Sequence, residues 1–208
     1  MYILLRNTSF IILSYLIGSI PFCYIIAKLK NKDLTMLGDK NPGGWNLAFS
    51  VSKFWGFWGA LFDIAKGFLP YFLIIRYTGS DFFALLAGCA AIAGHNYSPF
   101  LKFKGGKGIA TLLGLLLAIH PFSVIVFGAG IVLALVLIKN MIWGVVSGIT
   151  LSLIFFVYYY NSLIFLIFWL LLLLIILPKY LNYSNSFGVN FKFRKEKRLK
   201  DLFTPKSR

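Results

Sequence analysis

Acidic residues are what this chain has least of. Six Asp and Glu stand against 21 Lys and Arg in 208 residues, and charged residues are only 13% of the whole. An ordinary soluble domain is charged at about a quarter of its positions, and a soluble helical bundle needs that charge along its helix faces. The class is excluded here, because the apolar 59% is gathered into long runs that lack such faces. Cysteine is nearly missing as well. Cys23 and Cys89 each stand alone in an apolar run with no Cys-x-x-Cys spacing, which predicts buried small hydrophobes and neither a disulfide nor a metal site. The first run, about Tyr2 to Leu29, is too long for a signal peptide, and no small-x-small cleavage pattern follows it. It is expected to be a span kinked near Pro21.

What is present is a series of apolar runs separated by short polar turns. They predict an all-α integral membrane protein of about seven transmembrane helices. After the first come Phe54–Ile75, Phe82–Tyr97, Ile109–Ile119, Phe122–Ile138, Met141–Tyr160 and Leu163–Leu181. Residues 1–181 are thus expected to form one membrane domain, and 182–208 a basic tail. Aromatic residues near the span ends, such as Trp55, Trp58, Trp143 and Tyr158, fit an interfacial belt. Seven spans put the termini on opposite sides. With the tail inside, Lys28, Lys30, Lys32, Lys40 and Lys53 fall inside, as do Lys102, Lys104 and Lys107, then Lys139, and then the cations of the tail. Only Arg6 and Arg76 remain outside, so the positive-inside bias predicts an external N-terminus and a cytoplasmic C-terminus. No whole-span repeat is visible, so a transporter of inverted repeats gains no support. Gly144 and Gly148 form a Gly-x-x-x-Gly pattern, which is a helix-contact signal.

The chain is organised around Phe100–Thr111, where Lys102, Lys104 and Lys107 interleave with Gly105, Gly106 and Gly108 just ahead of an apolar helix pattern. Backbone N–H groups at a helix start, with cations beside them, suit an anion such as phosphate. Nucleotide signatures do not fit: Gly108 follows Lys107, Leu101 stands where a Walker glycine belongs, and no G-x-G-x-x-G can be read through the segment. A second polar segment, Gly38–Asn46, contains Asp39, Asn41, Gly43 and Asn46, and the charge argument places it on the same face. Asp63 and Lys66 lie inside a span at i, i+3, where ionisable groups either pair or function. His95 ends a span beside the glycine loop.

Gly94 to Thr111 resembles the second motif of the bacterial acyl-phosphate-dependent glycerol-3-phosphate acyltransferases, the PlsY family. Gly18-Ser19-Ile20-Pro21 looks like that family's first span, Gly38–Asn46 like its first cytoplasmic motif, and Asp63-Ile64-Ala65-Lys66-Gly67 like its Asp-x-x-Lys-Gly. The resemblance implies acyl transfer from acyl phosphate to glycerol 3-phosphate, giving lysophosphatidic acid for phospholipid synthesis. It implies a multi-pass protein of the bacterial cytoplasmic membrane whose active site faces the cytoplasm. Asp39, His95 and Lys104 are then the candidate catalytic residues. Asn41, Gly43, Asn46, Gly105, Gly106, Lys107, Gly108 and Thr111 are the candidate substrate-binding ones. Expected partners are the two substrates and membrane lipids; no cofactor, metal or nucleic acid is expected. The sequence departs from the family's pattern in places: Asp39 replaces a serine and Phe49 an arginine, Asn140–Trp143 replaces an Arg-Tyr-Val-Ser pattern, and the third motif after the last span is absent. Two alternatives therefore stand beside the main reading: the same donor with a different acceptor, and a non-catalytic lipid-binding or regulatory protein.

Overall fold

The computed structural model describes residues 2–187, and their regular structure is all helix, joined by turns and irregular loops. The basic tail from residue 188 onward lies outside the described residues. Helix α1 (Tyr2–Ser19) is broken from α2 (Phe22–Leu29) at Ile20-Pro21, where proline's missing N–H and fixed ring interrupt the helical ladder. The break leaves the Ser19 and Ile20 carbonyls open to other partners. Helix α3 (Gly44–Ser50) lies in the polar segment, and α4 (Lys53–Thr78), α5 (Asp81–Asn96), α6 (Ile109–Ile119), α7 (Phe122–Leu137), α8 (Met141–Tyr160) and α9 (Ile164–Phe187) follow. The expected spans all correspond to helices. Helix α9, however, runs on past the predicted boundary at Leu181 to Phe187, and α3 was not expected at all. Four segments are long and apolar enough to cross a membrane by themselves: Leu5–Leu29, Lys53–Thr78, Met141–Tyr160 and Ile164–Leu181.

Helix α6 is too short for that. Its 11 residues extend about 16 Å, roughly half of a hydrocarbon layer. Its first turn meets α4 at mid-length: a Cβ on Gly67 would run into the Thr111 carbonyl, and one on Gly114 into that of Ile64. Only glycine permits this closeness. Gly67 is 14 residues into α4, so the start of α6 sits about 21 Å along its neighbour, level with the buried interior. Similar close contacts join α1 to α5 at Gly18 and Gly94, and α7 to α8 at Gly130 and Gly148. This is the small-residue packing by which helices associate in lipid. The main apolar core lies between α4, α5, α6, α7, α8 and α9, with Ile92, Leu112, Leu115, Phe127 and Ile176 fully buried.

Candidate active site

The glycine-rich loop is shaped by what it packs against. A single 3-10 turn, Pro99–Leu101, ends with Lys102 and Phe103 both left-handed, at φ 51° and 61°. The Phe103 N–H donates to Ser98 O at 2.8 Å and closes this turn. The chain then doubles back along the end of α5, and the Gly106 N–H donates to His95 O at 3.0 Å. A Cβ on Gly105 would strike the His95 carbonyl, one on Gly106 the His95 imidazole, and one on Gly108 the Asn96 side chain. Gly108, at φ 87°, also needs the left-handed freedom of glycine as it caps α6. The first bond of α6 runs from the Leu112 N–H to Gly108 O at 2.8 Å. The N–H groups ahead of Leu112 therefore form the open, positive end of the helix.

The loop is tied to two helices. Ser98 Oγ donates to Ser19 O at 2.6 Å, and Tyr15 Oη to Tyr97 O at 2.8 Å, tying it to α1. Asn96 Nδ2 and Tyr97 Oη both donate to Ile175 O at 3.2 Å, tying it to α9 three residues before Pro178. Beneath it lies a buried polar cluster. Lys66 Nζ is 2.9 Å from Asp63 Oδ1, as the i, i+3 spacing predicts, and donates to Ile20 O at 2.9 Å. His95 Nδ1 is 3.6 Å from the same Asp63 oxygen, and the Cys23 thiol donates to Asp63 Oδ2 at 3.2 Å. Asp63 and Lys66 are 2% and 3% exposed, so each carries the burden of the other's charge. Cys23 is buried as predicted, but it acts as a hydrogen-bond donor and not only as a hydrophobe.

The two segments that charge counting placed together do meet. Asp39 Oδ2 lies 3.1 Å from Lys107 Nζ, across 68 residues of sequence. Asp39 Oδ1 accepts from the Asn41 N–H at 3.2 Å, which holds the carboxylate in a tight turn. Gly43 caps α3 in an extended conformation. Asn46 is spent inside the loop: its amide nitrogen faces the carbonyls of Leu34, Leu37 and Asn41 at 2.9–3.1 Å, and its oxygen accepts from Ser50 Oγ at 2.7 Å. A Cβ on Gly38, φ 53°, would meet that same Asn46 oxygen. Asn46 thus shapes the segment that carries Asp39. Lys104 is exposed beside the loop. Thr111 is fully buried, and its hydroxyl and the Asn96 side-chain oxygen make no hydrogen bond among the described residues. Where an arginine was expected, Phe49 stacks on Trp45 with ring centroids 4.4 Å apart on the exposed face of α3. Asn140 caps α8, accepting from the Ile142 and Trp143 N–H groups.

Sequence reasoning missed two residues that touch this region. Lys179, on α9, donates to Phe103 O at 3.4 Å and lies 4.6 Å from the centre of the Tyr97 ring. Cys23 was set aside because nothing in its neighbours in sequence announces Asp63.

Residues 8–186 match the family described as glycerol-3-phosphate acyltransferase. The glycerol-3-phosphate acyltransferase of Thermosipho melanesiensis is 44% identical over 117 residues, 56% of this chain and 58% of that protein. That of Aquifex aeolicus is 39% identical over 133 residues, 64% of this chain and 69% of its own length. Among solved structures, the glycerol 3-phosphate form of PlsY, an integral membrane glycerol 3-phosphate acyltransferase, superposes with a TM-score of 0.80 at 26% identity. It covers 96% of this chain and 100% of the other. The lysophosphatidic acid form of PlsY gives 0.76 at 25% identity, over 87% and 91%. With sequence match and helical fold running together through nearly all the described residues, the chain belongs to the glycerol-3-phosphate acyltransferase family.

Proposed function

We propose that this protein transfers an acyl group from acyl phosphate to the free primary hydroxyl of glycerol 3-phosphate, releasing lysophosphatidic acid and inorganic phosphate. The observation that carries the reading is the meeting of Asp39 and Lys107 at 3.1 Å beside the Gly105–Gly108 loop and the open end of α6. One place then offers cations and N–H groups for a phosphate, and a carboxylate for a proton. The forms in which the solved relatives were captured favour this acceptor over a changed one, and over a non-catalytic lipid binder.

The steps follow from the groups present. Lys107, Lys104 and the N–H groups at the open end of α6 hold the donor phosphate. The acceptor hydroxyl attacks the acyl carbon, and its proton passes to Asp39. The carbonyl oxygen gains charge as the carbon becomes tetrahedral, and the same N–H groups and lysines oppose that charge. The bond from acyl carbon to phosphate oxygen then breaks, phosphate leaves, and the proton ends on it. Asp39 suits the proton's role better than His95. Its side chain is 22% exposed and faces the loop, whereas His95 is 7% exposed and turned to Asp63. His95 is the positioning residue: its carbonyl and ring hold Gly106. Asn41 and Gly43 shape the turn that brings Asp39 in, and Thr111 offers its hydroxyl at the first turn of α6. The acyl tail runs on from Thr111, where Leu112, Leu115, Leu116, Ile149 and Phe156 line a narrow, partly open apolar cavity.

The protein is assigned to the bacterial cytoplasmic membrane, with both loops on the cytoplasmic side, because the lysines crowd there. The test is purified protein in detergent with acyl phosphate and glycerol 3-phosphate. Lysophosphatidic acid that appears only with both substrates supports the reading; its absence, with the protein folded, ends it.

A further inference from the structure

Three lysines among the described residues are paired with a carboxylate. Lys66 has Asp63, Lys107 has Asp39 and Lys28 has Asp33. Lys179 differs. It is partly buried on α9, and among the described residues no carboxylate lies within ion-pair distance of it. One of its three N–H donors reaches Phe103 O, at a loose 3.4 Å, and the charge rests on the Tyr97 face at 4.6 Å. Removing an ammonium group from water is costly without a counter-charge, and within a membrane protein such a group marks a functional position by default.

Its surroundings say what that counter-charge is. Phe103 directly precedes Lys104 and the glycines. Phe103 and Lys102 are held in the left-handed region, strain of the kind that persists only where the neighbouring structure enforces it. Tyr97, the ring under Lys179, is fixed at both ends, its carbonyl by Tyr15 and its hydroxyl by α9. A platform fixed at both ends thus holds a cation with unspent donors at the edge of the loop, at Phe103, one residue in sequence from Lys104. We infer that Lys179 is a phosphate-binding residue of the active site, supplied by α9 to complete the ring of charge begun by Lys104 and Lys107. The inference rests on the reading of the loop as a phosphate site, and its chemistry suits the phosphate of either substrate.

The experiment uses the full-length protein in detergent and has two arms. Binding of inorganic phosphate, followed by thermal shift, is expected to weaken at least tenfold in Lys179→Gln and to return to within threefold of wild type in Lys179→Arg. In steady state, one KM is expected to rise about tenfold in Lys179→Gln with kcat within twofold. A change in the acyl phosphate KM assigns Lys179 to the donor, and a change in the glycerol 3-phosphate KM to the acceptor. Wild-type phosphate affinity in Lys179→Gln overturns the inference, even if its melting temperature falls, because a residue that only packs α9 on the loop would do that. Should the variant fail to fold, phosphate protection of Lys179 in the wild-type protein from an amine-acetylating reagent, read by peptide mass spectrometry, decides: protection supports and unchanged labelling contradicts. A protein that binds phosphate through Lys179 but makes no lysophosphatidic acid would refute the proposed function and leave this inference standing.

Discussion

Replacing Asp39 by asparagine separates two effects that the structure assigns to one carboxylate. Asp39 pairs with Lys107 at 3.1 Å, so a phosphate arriving at Lys107 must compete with it. The side chains are 22% and 20% exposed. Pairs open to solvent contribute about 0.2–1 kcal/mol, and this one, mostly shielded, falls near the upper end, at about 1 kcal/mol. Asparagine keeps the size and the bond from the Asn41 N–H but gives up the charge. Phosphate affinity is therefore expected to improve by roughly fivefold, the equivalent of that energy. The same change removes the proton acceptor, and general-base catalysis typically contributes about 100- to 10,000-fold. The expected signature is opposed: tighter phosphate and a kcat at least about 100-fold lower. Thermal shift with inorganic phosphate reads the first, and lysophosphatidic acid formation at saturating substrates reads the second. An unchanged kcat refutes Asp39 as the base; unchanged or weaker phosphate binding refutes the competition.

Other substitutions test the scaffold. Gly108→Ala forces a side chain into the left-handed region, at a cost of about 1–2 kcal/mol, and presses it on Asn96; the melting temperature and acyl transfer should both fall. Gly114→Ala meets the Ile64 carbonyl and should block proper insertion or folding, whereas Gly128→Ala, with nothing within 4 Å, should be tolerated when both are compared by detergent-solubilised yield. Asp63→Asn strands the Lys66 charge in the interior and should cost about 3–5 kcal/mol. The double change Asp63→Leu with Lys66→Met should be more stable than the single one in thermal unfolding. If it is less stable, a stranded Lys66 charge is not what the single change costs.

The helices were legible because their signal is local. Runs such as Ile109–Ile119 and Met141–Tyr160 end at a glycine, a proline or an asparagine, and the helices stop where these residues stop them. The glycine loop was legible as chemistry, since lysines and glycines crowd into one short segment. Its reason for needing glycine was not. Gly105 and Gly106 are small because His95 lies against them, a contact made by the fold. Asn46 read as a ligand for want of any sign that Leu34, Leu37 and Ser50 would consume its amide. Helix α3 was hidden because seven residues with two aromatic rings facing outward show neither a long run nor a wide apolar stripe. Lys179 looked like one of many basic residues near the chain's end. Its meaning depends on the end of α9 lying beside Tyr97, which no spacing in the sequence announces.

The central claim is that an acceptor oxygen attacks the acyl carbon while the phosphate only leaves. Glycerol 3-phosphate labelled with oxygen-18 in its free primary hydroxyl tests this directly, with purified protein, acyl phosphate and mass spectrometry of both products. The account predicts lysophosphatidic acid that keeps the label in its ester oxygen, formed one for one with unlabelled phosphate. Labelled phosphate, or phosphate released with free fatty acid and no lysophosphatidic acid, would contradict it.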